Sequence, residues 1–375
     1  MTGTRAEYGL LRGTMKRIKH SRNPSMDLRL IVTGTHISGE FGHTADEIIR
    51  DGFKIDSTVR IMSKDDSGLG MARSLGKAVD GLAGSLAKLS PDILVILGDR
   101  LEVLAAALAA TYMNIPIAHI HGGDVSGSVD QPVRYATSKL AHLHLVATPQ
   151  AAARLKAIGE DERRIFVTGA PGLDEVTEKS YTDGSELARK YGLDLQKPLL
   201  ILVQHPVVTE EKDAEWQITQ TLRAIEEQKI QTVIIFPNAD AGGRSMIRVI
   251  KQHCKKHQGF LKAVPSVPRQ DFLGLMAIAS AMVGNSSSGI IEAASFRLPV
   301  VNIGTRQLGR ERAGNVIDVP YDKDSIFQAI RKALGDEQFL EKVRRAENPY
   351  GDGRAAKRIV EILQQVDMTE LWPKK

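Results

Sequence analysis

The sequence predicts an α/β protein built from two Rossmann-like, doubly wound domains. Three observations carry that prediction. Short runs rich in Val, Ile and Leu recur along the chain, each apolar on both faces as the strands of a covered parallel sheet must be. Longer amphipathic stretches with helical spacing separate them. The alternation runs through twice, with a polar break at residues 181–185 between the passes.

In the first pass the strands are expected at residues 28–32, 93–97, 115–120, 143–147 and 165–167. In the second they are expected at 199–203, 233–236, 281–283, 300–303 and 316–319. Helical patterns fall at 101–112, 133–140, 215–227, 270–279 and 288–296, and a last one at 352–366. This organisation predicts a first domain over 1–172, a second over 173–351, and a terminal segment, 352–375, whose helix crosses back to the first domain. One element is missing from the pattern. The segment Gly3-Thr4-Arg5-Ala6-Glu7-Tyr8-Gly9 looks like a ligand-cradling loop running into a helix, yet no strand precedes it.

Bulk composition narrows the function. With 42% hydrophobic and 25% charged residues over 375 positions, the chain has the balance of a water-soluble globular protein. The single cysteine, Cys254, excludes an intramolecular disulfide framework and fits a reducing compartment. The net charge of +5 is spread among acids rather than gathered in blocks, which argues against nucleic acid and suits a small polyanion. No window approaches a membrane span, and residues 1–7 lack the apolar core of a signal peptide, so a cytoplasmic location without membrane attachment is expected.

Every segment able to carry chemistry lies just beyond the carboxyl end of an expected strand, where open α/β sheets bind ligands. Asp99 and Arg100 emerge after residues 93–97 at the start of a helix, a place where an aspartate can cap or catalyse. His119 and His121 lie two apart and would share a face if their strand continued. Gly122 and Gly123 then allow close backbone approach, and Asp124 and Asp130 flank a polar loop. Acids and histidines crowded around one loop suit proton transfer at carbon. The spacing of His119 with His121, and of His142 with His144, also invites a zinc reading, but no further ligand motif completes a set, so no metal is expected.

In the second pass, Gln204-His205-Pro206 and Pro237-Asn238 each follow a strand. Asn285-Ser286-Ser287-Ser288 places hydroxyls and backbone N–H groups at a helix N-terminus, a ready anion site suited to a diphosphate. Glu292, one turn further, can accept both hydroxyls of a ribose. Arg306 leaves the next strand able to pair a phosphate or a base edge.

Taken together, residues 3–9, 98–102, 119–144, 204–206, 237–242, 284–292, 304–311 and 350–353 resemble the hydrolysing UDP-N-acetylglucosamine 2-epimerases of sialic-acid biosynthesis. The resemblance implies a glycosyltransferase-B-like fold with the active site in the interdomain cleft and no cofactor or metal. It implies a UDP-sugar substrate, UDP as a product, and a homodimer or homotetramer. Carried onto this chain, the nucleotide would be held by Arg5, His205, Asn238, Ser286, Ser287, Glu292 and Arg306, with Arg100 beside the phosphates. The acid/base carboxylates would be Asp99 and Asp130.

The implied reaction breaks the C1–O bond with loss of the C2 proton, giving a 2-acetamidoglycal. Water then adds at C1, C2 is protonated from the other face, and free N-acetylmannosamine leaves with UDP. One departure matters: some members have a catalytic glutamate at the position of His121, so His121 or Asp124 can stand in, and a modified substrate, UDP-diacetylbacillosamine or a GDP-sugar, stays open. A non-hydrolysing epimerase, a glycosyltransferase and a non-catalytic nucleotide-sugar binder are further readings. The run His121-Gly122-Gly123-Asp124-Val125, where non-hydrolysing members show Glu-Ala-Gly-Leu-Arg, favours hydrolysis.

Overall fold

The structure, a computed structural model, describes residues 1–22, 25–39, 43–62, 68–125, 130–238 and 240–371. Residues 126–129 and 239, parts of two loops singled out above, lie outside the described residues. The chain divides into two compact units: Met1–Asp124 with Asp130–Asp174 and Tyr350–Lys375, and Glu175–Pro349 with Val125–Val129.

In the first unit the strands are β1 (Ile31–Thr33), β2 (Ser57–Val59), β3 (Leu94–Leu97), β4 (Ile117–Ile120), β5 (Leu143–Val146) and β6 (Ile165–Val167). β1 pairs with β2, and β3-β4-β5-β6 form a sheet in that order, every pair parallel. Where the sequence shows no strand ahead of the Gly3 loop, Met1 and Thr2 fill the gap. Thr2 bridges Val32 in parallel, donating to Ile31 O and accepting from Thr33 N, both at 3.0 Å, while the Met1 nitrogen donates to Val95 O at 3.1 Å. Two residues therefore link β1 to β3 and anchor the loop, which starts at the point where the direction of winding reverses.

The helix Arg5–Lys19 begins with a capping box. Thr4 Oγ1 accepts from Glu7 N at 3.2 Å, and Glu7 Oε2 accepts from Gly3 N at 2.6 Å. Gly3 is required there, because a Cβ would lie 2.4 Å from Glu102 Cγ. One face of this helix, Tyr8, Leu11, Met15 and Ile18, packs with Ile359, Val360 and Leu363 of the helix Ala355–Gln365.

The second unit holds β7 (Leu199–Val203), β8 (Gln231–Ile235), β9 (Leu261–Val264), β10 (Ala281–Gly284), β11 (Val300–Ile303) and β12 (Val316–Val319). They lie in the order β9-β8-β7-β10-β11-β12, all parallel. This is the dinucleotide-binding strand order, with its switch point between β7 and β10. The expected helix at 288–296 is two pieces, Ser287–Ile291 and a 3-10 turn Ala293–Phe296. Asn348 Nδ2 donates to Ile291 O at 2.8 Å and to Ser295 Oγ at 2.7 Å, so a side chain takes the carbonyl that a continuing helix would use. No helix among the described residues is long and apolar enough to cross a membrane.

Burial, reinforced by the neighbouring Glu102, pushes the Glu7 carboxyl up to about 8 from an ordinary 4.5. The folded protein therefore keeps a proton that the unfolded chain releases in that window. The resulting stability is complete below about 4.5 and lost as pH rises through about 8. Glu7→Gln should show a smaller fall in melting temperature between about pH 6 and about pH 9 than the parent, read by calorimetry, and equal falls would contradict this assignment.

Candidate active site

At the carboxyl end of β3 the chain turns at Gly98, φ +86°, and presents Asp99 and Arg100. β4 stops at Ile120, and His121 adopts φ +62°, so the shared face expected of His119 and His121 does not form. The two rings do different work. His119 is fully buried, with Nε2 2.7 Å from Gly98 O and Nδ1 3.1 Å from Ser138 Oγ, and burial pushes it down to about 3. It is a neutral tie between the ends of β3 and β4. His121 points Nδ1 at Asp124 Oδ2, 2.7 Å away, with both side chains 5% exposed. Among the described residues its buried Nε2 has no hydrogen-bond partner. A carboxylate accepting at Nδ1 fixes the neutral ring as the Nδ1–H form and leaves a lone pair on Nε2.

A left-handed histidine costs about 1–3 kcal/mol and persists only when its surroundings over-determine it. Here His121 N donates to Leu145 O at 3.1 Å, and its carbonyl accepts from Arg134 Nη1 at 2.6 Å. Gly123, φ +72°, must be glycine, since a Cβ would sit 2.4 Å from Ala151 O. Arg134 is the centre of the group. It is 4% exposed, and its Nη2 pairs with Asp99 Oδ2. Burial works against its charge, and Asp99, Asp124 and Asp130 together outweigh that and raise it above the usual arginine range. Three of the four expected proton-transfer residues are thus carboxylates arrayed around one guanidinium.

The switch point of the second unit is built differently. β7 delivers His205 and β10 delivers Asn285, and these two lock together: His205 N donates to Asn285 Oδ1 at 2.7 Å, and Asn285 Nδ2 donates to His205 O at 2.8 Å. Asn238 N donates to His205 Nδ1 at 3.1 Å, which leaves the neutral His205 proton on Nε2. The carbonyl of Asn285 accepts from Arg306 Nη1 at 3.2 Å and from Gln307 Nε2 at 2.8 Å. Ser286 caps the helix Ser287–Ile291, accepting from Ser288 N at 3.3 Å. His205, Asn238, Ser286, Ser287 and Arg306 therefore lie around one hub, Asn285. Glu292, at the far end of that short helix, pairs with Arg269.

The remaining expected cations are engaged within the first unit. Arg5 Nε lies 2.7 Å from Glu47 Oε2, and Arg100 Nε 3.3 Å from Glu102 Oε1. The second histidine pair is structural: His142 Nδ1 accepts from Ile117 N at 3.3 Å, and His144 Nε2 meets Glu160 Oε2 at 2.9 Å. Among the described residues, no group of three His, Cys, Asp or Glu side chains is arranged to hold a metal ion. Arg134, Asn285 and Arg269 were not singled out from the sequence. Arg134 left a local signal there, four residues after Asp130 and so one helical turn away, and Asn285 heads the run read as an anion site without being given a role of its own.

Comparison with known proteins decides the family. Residues 18–364 match UDP-N-acetylglucosamine 2-epimerase. The chain belongs to that family. It is 39% identical to the UDP-N,N'-diacetylbacillosamine 2-epimerase (hydrolyzing) of Legionella pneumophila over 98% of this chain and 95% of that one. It is 34% identical to the GDP/UDP-N,N'-diacetylbacillosamine 2-epimerase (hydrolyzing) of Campylobacter jejuni, over 88% and 86%. In fold it is similar to the UDP-GlcNAc 2-epimerase of Neisseria meningitidis bound to UDP-GlcNAc, with a TM-score of 0.82, 20% identity, and 97% and 98% of the two chains covered. Its architecture is two Rossmann-like units of parallel sheet.

Asn285→Ala would strip partners from His205 N and His205 O at a fully buried position. Unfolding in urea should show a loss of about 2 kcal/mol or more, and a loss under about 0.5 kcal/mol would refute the hub role.

Proposed function

We propose that this protein is a hydrolysing nucleotide-sugar 2-epimerase whose substrate is UDP-N,N'-diacetylbacillosamine, giving UDP and the free C2-epimerised 2,4-diacetamido sugar. The observation that carries the chemistry is the His121–Asp124 dyad, whose buried Nε2 has no hydrogen-bond partner among the described residues, beside the carboxylates that surround Arg134. The sequence alone put UDP-N-acetylglucosamine first. The 39% identity to a hydrolysing diacetylbacillosamine enzyme supports the modified sugar instead.

In this reading the second unit binds UDP. His205 Nε2–H, Ser286, Ser287 and Arg306 take the diphosphate, with Asn238 beside them, and Glu292 takes the ribose hydroxyls. Arg5 and Arg100 exchange their internal carboxylate partners for phosphate when substrate is bound. The first unit moves protons. The C2 proton leaves to one of the bases as the C1–O bond breaks and both electrons go to UDP, giving the 2-acetamidoglycal. Water then adds at C1, its proton going to a carboxylate, and C2 takes a proton on the opposite face. His121 Nε2, backed by Asp124, is one proton carrier. Asp99 and Asp130, both facing Arg134, are the carboxylates that serve the other. Arg134 Nη2 pairs with Asp99 Oδ2 and so fixes where that carboxylate points.

Incubation with each UDP-sugar in heavy water, followed by NMR, tests this reading. Expected products are UDP and a free sugar carrying deuterium at C2, with kcat/KM about tenfold or more higher for the diacetylbacillosamine substrate. An intact UDP-linked epimer would refute hydrolysis, and a preference for UDP-N-acetylglucosamine would refute the substrate. His121→Ala should lower kcat by about 10²–10⁴-fold with the protein still folded, and Asp124→Asn by about 10–100-fold. Near-normal turnover in both variants would remove the dyad from the mechanism.

A further inference from the structure

Arg269 is the first residue of the helix Arg269–Ile278, a place where side chains commonly face water. Instead its guanidinium, 9% exposed, lies between two buried carboxylates. Nη1 is 2.7 Å from Glu292 Oε1 and Nε is 3.3 Å from Glu175 Oε2. Glu292 and Glu175 are 3% and 7% exposed. Burying two carboxylates side by side is costly, and the guanidinium between them offsets that cost by pairing with both.

Glu292 sits at the end of the helix Ser287–Ile291, whose first turn carries the hydroxyls read as the diphosphate site. A bare carboxylate so near a diphosphate would repel it. A guanidinium neutralises that field, and its planar fork also fixes the direction of the carboxylate it grips. Glu175 holds the fork from the other side, so Arg269 has little freedom to swing away.

We infer that Arg269 is a positioning residue for the nucleotide: it aims Glu292 at the ribose hydroxyls and so makes the protein select ribonucleotides. This rests on the reading of Glu292 as the ribose acceptor. Arg269 grips Glu292 and Glu175 and is assigned no contact with the diphosphate, so its loss should alter discrimination between sugars of the nucleotide more than binding of the diphosphate.

The test is calorimetric titration of UDP and of 2',3'-dideoxy-UDP, which lacks both ribose hydroxyls, into the parent protein, Arg269→Met and Arg269→Lys. The parent should prefer UDP by about tenfold or more, the worth of hydrogen bonds to a charged group. In Arg269→Met that ratio should fall to within about threefold, as the carboxylate loses the fork that aims it. Arg269→Lys keeps the charge without the fork and should fall between the two. A parent-like ratio in Arg269→Met overturns the inference; should that variant fail to fold, a parent-like ratio in Arg269→Lys does so. If the parent itself makes no distinction, Glu292 is not the ribose acceptor, and both readings of the nucleotide sugar fall together. The hydrolysis assay in heavy water stands apart from either result.

Discussion

Arg134 donates through one Nη to Asp99 and through the other to the carbonyl of His121, almost wholly out of water. A guanidinium in that position is tolerable only when its acceptors are fixed, because a mobile partner would leave the charge unpaired. The cost is met by geometry elsewhere. Holding the His121 carbonyl fixes the end of β4 in a left-handed turn, and the turn in its place needs Gly123. That turn brings Asp124 back onto His121 Nδ1, and the ring is left with Nε2 facing no protein partner among the described residues. One buried cation thus organises two carboxylates and an imidazole.

The second unit meets the opposite demand with a neutral residue. The proposed diphosphate site needs donors and little negative charge, and Asn285 suits that by joining the ends of β7 and β10 through amide hydrogen bonds alone. Its backbone carbonyl gathers Arg306 and Gln307 without adding a formal charge. Glu292, at the end of the same short helix, is gripped by Arg269. In the proposed function, proton chemistry is therefore surrounded by carboxylates in one unit, and anion binding by amides, hydroxyls and arginines in the other.

Much of this was legible because burial on both faces leaves a strong mark. Strands β6, β7, β11 and β12 begin and end where their apolar runs do. β2 and β9 left no such mark: Ser57–Val59 is half exposed, and Lys262 interrupts Leu261–Val264. The anchor made by Met1 and Thr2 has no periodicity to read, since a two-residue link is defined only by the strands it joins. Of the site, residue types and loops were visible, but pairings were not. Nothing local ties Arg269 to Glu292 or Arg5 to Glu47, and the apolar pattern left open whether the strand ran on to His121, which it does not.

In the proposed mechanism Asp124 holds the proton of the neutral His121 ring on Nδ1 and leaves the Nε2 lone pair for the substrate. Nitrogen-15 NMR of the protein labelled in its histidine rings reads this directly. His121, assigned by comparison with His121→Gln, should show the neutral Nδ1–H form, and Asp124→Asn should shift the ring toward Nε2–H. A neutral His121 protonated on Nε2 in the parent protein would contradict it.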